Sequence, residues 1–209
     1  MTPTRVEVPE RQRSVMSRIA PLLDEGTYLA GGVAVASTLR HRLSLDIDLF
    51  VPHAFDSEQF VERLAGKLKD YQVTGRAVGT VHLEVEGVPI SVLSYRYPLL
   101  APAEPRGGLP LAVASPDDLV CMKLSAIAGR GAAKDFWDLT GLLEAGAARG
   151  SLAYAMTLYQ TKFASVDVGH VIRSLAYFGD ADRAPLPAGM TADHWAAIKA
   201  HVSEAVKAL

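Results

Sequence analysis

The stretch that decides the fold is LAGGVAVASTLRHRLSLDIDLF, residues 29–50. Residues 27–30 predict a short strand, Gly31-Gly32 interrupt it, and the apolar run over 33–40 predicts a brief helix. Over residues 44–51, acidic and apolar side chains alternate with a period of two, which is typical of a strand. The sequence therefore predicts a strand, a glycine turn, a helix and a second strand in close succession.

The two carboxylates of this stretch can bind a divalent cation. Asp46 and Asp48 occupy alternate positions of the predicted strand, so they would leave the same face with Cα atoms about 7 Å apart. Hard cations such as Mg²⁺ or Mn²⁺ bind oxygen ligands that converge from a rigid element. An isolated Asp-x-Asp pair is more often a solvated strand face, so the assignment of a metal site depends on its neighbours.

The glycine pair supplies that context. A helix N-terminus presents free backbone N–H groups and the positive end of the helix dipole, and glycine lets the backbone approach a phosphate closely. Gly31 and Gly32, followed by the two carboxylates, therefore predict a site for a nucleoside triphosphate (NTP) with a divalent cation as cofactor. Arg42 follows the predicted helix, where it either contacts phosphate or complements the helix dipole.

The rest of the chain predicts an α+β protein, with a small mixed sheet flanked by helices and then a helical C-terminal part. Apolar periodicity and turn residues predict helices over 9–25 and 57–68, and β-strands over 71–78, 80–86 and 88–95. A proline- and glycine-rich linker at 98–110 places the boundary of a core domain, residues 1–110. Residues 111–209 predict helices over 116–128, 132–144, 151–163, 168–178 and 191–209, with a loop at 179–185.

The first two helices of the C-terminal part carry complementary charges. Lys123 and Arg130 lie seven residues apart, so they share a helical face, and Asp135 and Asp138 are neighbours on the next helix. A cationic stripe would thus face an acidic one. Spacing alone favours an ordinary salt-bridge network between two helices and an active-site cluster equally.

The chain resembles the AbiEii/AbiGii toxin family of the DNA polymerase beta-type nucleotidyltransferase superfamily. The resemblance rests on residues 29–50 and on MKLSAIAGRGAAKDFWDL, residues 122–139. It implies that Asp46 and Asp48 are the catalytic metal ligands, Lys123 a catalytic phosphate ligand, and Asp135 a general base or an orienting residue. It further implies that substrate is bound by Gly31, Gly32, Arg42, Arg130, Lys134 and Asp138.

Two positions depart from the family pattern. Val33 stands where the family usually has a hydroxyl residue after the glycines. Superfamily enzymes generally add a third carboxylate from a neighbouring strand, and Ser91 occupies that position; Glu84 and Glu86 on the preceding strand are the alternatives. We interpret His82 on that strand as a packed or solvated residue, and Cys121 as a small buried thiol.

The resemblance implies a metal-dependent nucleotidyltransferase that moves a nucleoside monophosphate from an NTP to an acceptor hydroxyl of tRNA or protein. Its setting would be a toxin–antitoxin or phage-defence (abortive infection) system with a separate antitoxin protein. One alternative is a catalytically weak or inactive nucleotide- or protein-binding module of the same fold. Another is a small-molecule transferase of the antibiotic-modifying kind.

Composition limits the setting of the protein. A net charge of −2 and a pI near 6.3 argue against a surface that broadly coats nucleic acid. The single cysteine excludes an internal disulfide and suits a reducing compartment. The first thirteen residues lack an apolar leader, and no window approaches the roughly 20 apolar residues of a membrane span. We therefore expect a cytoplasmic protein without membrane contact.

Overall fold

The computed structural model describes residues 6–164 and 167–209. The expectation about the N-terminal stretch falls partly on residues 1–5, which lie outside the described residues. The chain divides into two units, Met1–Ala114 and Ser115–Leu209. Across the described ranges, no helix has the length and apolar character needed to cross a membrane.

The first unit is built around a mixed sheet whose seven described strands lie in the order β3-β4-β5-β2-β1-β7-β6. The strands are β1 (Tyr28–Ala30), β2 (Ile47–Val51), β3 (Tyr71–Ala77), β4 (Thr80–Val85), β5 (Val88–Ser94), β6 (Glu104–Pro105) and β7 (Ala112–Val113). The same unit contains the helices α1 (Glu10–Ile19), α2 (Gly31–Leu39) and α3 (Ser57–Ala65), and a 3₁₀ turn over Ala20–Leu22.

One face of this sheet forms the core of the unit. Strand β2 pairs antiparallel with β1 and parallel with β5, and β5 continues antiparallel to β4. Because side chains alternate along a strand, every second residue of these strands points into the core. The fully or almost fully buried members are Ile47, Leu49, Val81, Leu83, Ile90 and Val92. The other face of the sheet carries the polar side chains of Asp48, Ser91 and His82.

The structure corrects the start of one strand of the first unit. Strand β2 begins at Ile47 rather than at residue 44, because the backbone carbonyls of Ser44 and Leu45 accept hydrogen bonds from the Gln12 amide, each at 2.8 Å. The first unit continues to Ala114. Its last strand, β7, pairs with β1 beside Leu29, and the expected linker contains β6.

The second unit is helical in its described residues. Its helices are α4 (Pro116–Gly129), α5 (Ala133–Glu144), α6 (Leu152–Phe163), α7 (Gly169–Leu175), α8 (Gly179–Arg183) and α9 (Ala192–Lys207), with a 3₁₀ turn over Ala147–Gly150. The expected loop at 179–185 therefore contains a short helix. The expected N-cap is confirmed, since Ser115 Oγ accepts a hydrogen bond from the Asp118 backbone N–H at 3.1 Å. The two units together confirm the α+β class.

A buried ion pair ties α4 to α6. The Lys162 ammonium donates to Asp118 Oδ1 at 2.7 Å, and both side chains are fully buried. Asp118 Oδ2 also accepts a hydrogen bond from the Ser115 hydroxyl at 2.6 Å. Removing one partner of such a pair leaves the other charge uncompensated in a medium of low polarity.

We predict that Lys162→Met lowers the free energy of unfolding by about 3–5 kcal/mol, because Asp118 then remains buried without its cation. The double variant with Asp118→Asn should recover much of this loss. The matched control is Lys207→Met, which removes an ion pair to Glu204 whose side chains are 71% and 73% exposed; it should change stability by less than about 1 kcal/mol. Urea denaturation measures all three, and equal effects of the two lysine changes would contradict the prediction.

Candidate active site

Gly31 brings the start of α2 against the Asp48 carboxylate. In the β1–β2 register Ala30 pairs with Asp48, so the next residue, Gly31, begins α2 directly beside that carboxylate. Gly31 has a φ of +66°, and a Cβ placed on it would lie 2.8 Å from Asp48 Cγ. Only glycine fits this backbone conformation and this approach. The predicted proximity of the glycine turn to Asp48 is therefore observed.

The loop after α2 folds back onto Gly32. A Cβ on Gly32 would lie 3.2 Å from Ser44 Cβ and 3.2 Å from Arg42 Nη2. Arg42 is only 6% exposed, and its Nη1 donates to the Leu43 carbonyl at 3.0 Å. Arg42 thus lies beside the glycine turn as its predicted role requires, although little of its side chain is accessible.

Asp46 is exposed and directly precedes β2, two residues before the half-exposed Asp48. Its position depends on Gln12 of α1, which is 4% exposed and holds the two carbonyls immediately before Asp46. Sequence reasoning missed Gln12, because a glutamine on an amphipathic helix gives no signal for a contact more than thirty residues away. We therefore regard Gln12 as a positioning residue of the candidate site.

The donor set fits a divalent cation that is bound together with a nucleotide. The described residues contain no group of three or more His, Cys, Asp or Glu side chains arranged to hold a metal ion. Mg²⁺ commonly binds through one or two carboxylates and completes its octahedron with substrate phosphates and water. Asp48 beside the start of α2, with Asp46 two residues earlier in the chain, could supply that minimal set.

The neighbouring strands show which residues lie beside Asp48. Ser91 of β5 is in register with Asp48, and His82 of β4 is in register with Ser91. Directly registered residues share a sheet face, and His82 Nδ1 lies 3.0 Å from Ser91 Oγ. Of the two alternative carboxylates, Glu86 forms an ion pair with Arg18 of α1. Glu84 is exposed on the same face as His82, in register with Pro89.

In the second unit, the expected charged cluster is present between α4 and α5. The Lys123 ammonium lies 3.1 Å from Asp135 Oδ1 and 2.6 Å from Asp138 Oδ2, and its side chain is 6% exposed. Arg130 adds two hydrogen bonds to Asp135, from Nε and Nη2, each at 2.8 Å. The Arg130 side chain itself is 58% exposed. Lys134, the second residue of α5, is half-exposed.

The contacts of Asp135 favour an orienting role over that of a general base. Burial raises the pKa of the Asp135 carboxyl, but the hydrogen bond from Arg130 and the charges of Lys123 and Arg130 outweigh it and hold the pKa below its ordinary value. The lowered pKa makes the Asp135 carboxylate a weak base, and two cations already hold it. It therefore accepts a proton poorly. The interpretation of Cys121 is confirmed, since burial raises the pKa of its thiol to about 12.

The fold is shared with solved structures of other proteins. A solved structure with this fold is MenT4, described as nucleotidyltransferase toxin Rv2826c from Mycobacterium tuberculosis H37Rv, with a TM-score of 0.65 at 13% identity over 95% of this chain and 82% of that one. Another is the antibiotic-resistance factor ANT(2'')-Ia, with a TM-score of 0.55 at 15% identity over 77% of this chain and 97% of that one. At such identities the likeness shows the fold alone.

Sequence comparison names the family. The family model described as "Nucleotidyl transferase AbiEii toxin, Type IV TA system" matches residues 14–98 and 74–208. An uncharacterized protein of Aquifex aeolicus (strain VF5), aq_aa25, is 33% identical over 178 residues, which are 84% of this chain and 85% of that protein. The chain belongs to the AbiEii nucleotidyltransferase toxin family, and the resemblance seen in its motifs is confirmed.

We predict that Gly31→Ala disrupts the candidate site. The new Cβ would overlap the Asp48 carboxylate at a backbone φ of +66°, so the free energy of unfolding should fall by about 1–3 kcal/mol and NTP binding should be lost. The matched control is Gly66→Ala, where a Cβ meets nothing within 4 Å. Thermal unfolding and nucleotide binding by fluorescence measure both variants; retention of binding by Gly31→Ala would contradict the prediction.

We predict that Asp135→Asn changes the pH dependence of stability. Because the pKa of Asp135 is lower in the folded protein than the value of about 3.9 expected in the unfolded chain, its ionised form stabilises the fold above pH about 4. This contribution is lost as the pH falls through the folded pKa. The urea midpoints of wild type and variant should therefore differ at pH 7 and converge below pH 4.

The control for this experiment is Glu204→Gln, which changes an exposed carboxylate of α9. Its midpoint should follow that of the wild type at every pH, because an exposed ion pair contributes little. A gap between Asp135→Asn and wild type that stays constant down to pH 3 would show that ionisation of Asp135 does not stabilise the fold.

Proposed function

We propose that this protein transfers a nucleoside monophosphate from an NTP to an acceptor hydroxyl, with Mg²⁺ or Mn²⁺ bound by Asp46 and Asp48. The observation that carries the proposal is the approach of the Gly31 backbone to the Asp48 carboxylate at the first residue of α2. In this proposal Asp48 binds the cation beside a helix start that can bind phosphate. Family membership supports the same reaction class.

Each residue has a distinct task in this proposal. The backbone N–H groups at Gly31 and Gly32 bind the triphosphate, and no side chain of the N-cap residue Ala30 competes for them. The divalent cation, when bound, neutralises phosphate charge and thereby lowers the barrier to attack. Lys123 and Arg130 bind phosphate, and Lys134 is a further substrate contact. Asp135 and Asp138 hold the Lys123 ammonium in one orientation.

We further propose that the acceptor is a hydroxyl of tRNA or protein in the cytoplasm, and that a separate antitoxin protein restrains the activity. The support is membership of a family described as a toxin of a toxin–antitoxin system. A net charge of −2 means that an RNA acceptor would be bound by a local basic patch and not by a broadly cationic surface.

Two alternatives have observations in their favour. A small-molecule acceptor is supported by the shared fold of the antibiotic-resistance factor ANT(2'')-Ia. A catalytically weak nucleotide-binding module is supported by Ser91, which stands in register with Asp48 where the superfamily pattern expects a third carboxylate. The size of the labelled product separates the first alternative from RNA or protein transfer, and the absence of any labelled product would identify the second.

We predict metal-dependent labelling of RNA or protein when the chain is incubated with each α-labelled NTP, Mg²⁺ or Mn²⁺, and total tRNA or protein extract. Asp48→Asn should lower the rate by about 100-fold or more, because it removes one charge of the cation site. Its melting temperature should stay close to that of the wild type, since the change preserves volume at a half-exposed position.

The matched control is Glu62→Gln, which neutralises an exposed carboxylate on α3 of the same unit. This variant should transfer label at the wild-type rate. Wild-type transfer by Asp48→Asn would refute the metal assignment. Labelling that persists in excess chelator would refute the dependence on a divalent cation.

A further inference from the structure

The polar face of the sheet carries one row of side chains that can hold and move a proton. Asp48, Ser91 and His82 follow one another across β2, β5 and β4 in strict register. Adjacent strands lie about 4.8 Å apart, so Ser91 is the direct neighbour of Asp48 and His82 is one strand farther away. His82 Nδ1 is within hydrogen-bond distance of Ser91 Oγ, at 3.0 Å.

Strand β3 pairs with β4 on the side away from β5, and it leaves room for the His82 imidazole. Gly75 of β3 is in register with His82, and a Cβ on Gly75 would meet His82 Cδ2 at 3.4 Å. The ring therefore spans from β3 towards β5, and its Nδ1 side faces Ser91. His82 is exposed and Ser91 is half-exposed, so the pair is open to a bound substrate.

We propose that Ser91 and His82 together replace the third carboxylate and accept the proton of the attacking hydroxyl; this rests on the proposed nucleotidyl transfer. The acceptor oxygen forms a bond to the α-phosphorus, and the bond from that phosphorus to the bridging oxygen breaks. Pyrophosphate leaves with the electron pair of the broken bond. The hydroxyl proton passes to Ser91 Oγ as the Ser91 proton passes to His82 Nδ1.

The carboxylates on and directly after β4 are poorly suited to this task. Glu86 is held by Arg18 of α1. Glu84 is in register with Pro89, one row away from the row that contains Asp48. The serine and histidine are the residues that share the row of Asp48.

The test uses the full chain and the NTP and acceptor pair that gives the highest wild-type transfer. His82→Ala and His82→Asn should each lower kcat by about 100-fold, with unchanged melting temperature and unchanged nucleotide affinity. The Asn variant preserves a hydrogen bond to Ser91 but cannot accept the proton, so it separates proton transfer from a structural role. The matched control is His201→Ala, which removes an exposed histidine of α9 and should leave kcat unchanged.

The decisive variant restores a carboxylate at the registered position. Introducing Ser91→Asp into the His82→Ala variant should raise its rate at least about tenfold, because the new carboxylate accepts the proton directly. Added imidazole should also recover part of the rate of His82→Ala but none of that of Ser91→Ala.

Three outcomes would overturn the inference: full activity of His82→Asn, a loss that parallels a lower melting temperature in both His82 variants, or no recovery with Ser91→Asp. In each of these cases the wild type still transfers label, so the proposed function stands. A wild-type chain that binds NTP but labels no acceptor refutes the proposed function itself, and the inference with it.

Discussion

The first unit depends on one close approach, that of the Gly31 backbone to the Asp48 carboxylate. Strands β1 and β2 are antiparallel neighbours with a nine-residue helix between them, so the chain must turn from strand into helix at the point where Asp48 stands opposite Ala30. A side chain at residue 31 would occupy the volume of that carboxylate. Glycine therefore serves both the turn and the site, and a change there affects folding and binding together.

The register of β2 determines the face of the sheet to which Asp48 points. Ile47 and Leu49 are fully buried in the core, and Asp48 between them points to the opposite face. A slip of one residue would exchange the two sets and bury a carboxylate without a partner. Burial of the apolar set thus fixes the direction of Asp48. Parallel pairing with β5 then fixes which residue becomes its neighbour, and in this chain that residue is Ser91.

Local patterns predicted much of this arrangement, and long-range contacts account for what they missed. The period of two around Asp46 and Asp48 and the N-cap at Ser115 are short-range signals, and both predict the observed element, although the strand is shorter than expected. The contact of Gln12 with the loop before Asp46 and the pairing of His82 with Ser91 depend on the tertiary fold. A single sequence carries no pattern for them, because the partners lie on separate elements.

The two buried lysines of the second unit show how structure separates a stabilising pair from a candidate site. The side chains of Lys162 and Asp118 are both fully buried, so that pair is not accessible to a ligand. Lys123 is held by two carboxylates, and one of them also binds the largely exposed guanidinium of Arg130. Exposure of Arg130 gives this second cluster a route by which an incoming phosphate can compete for its cations, which the Lys162 pair lacks.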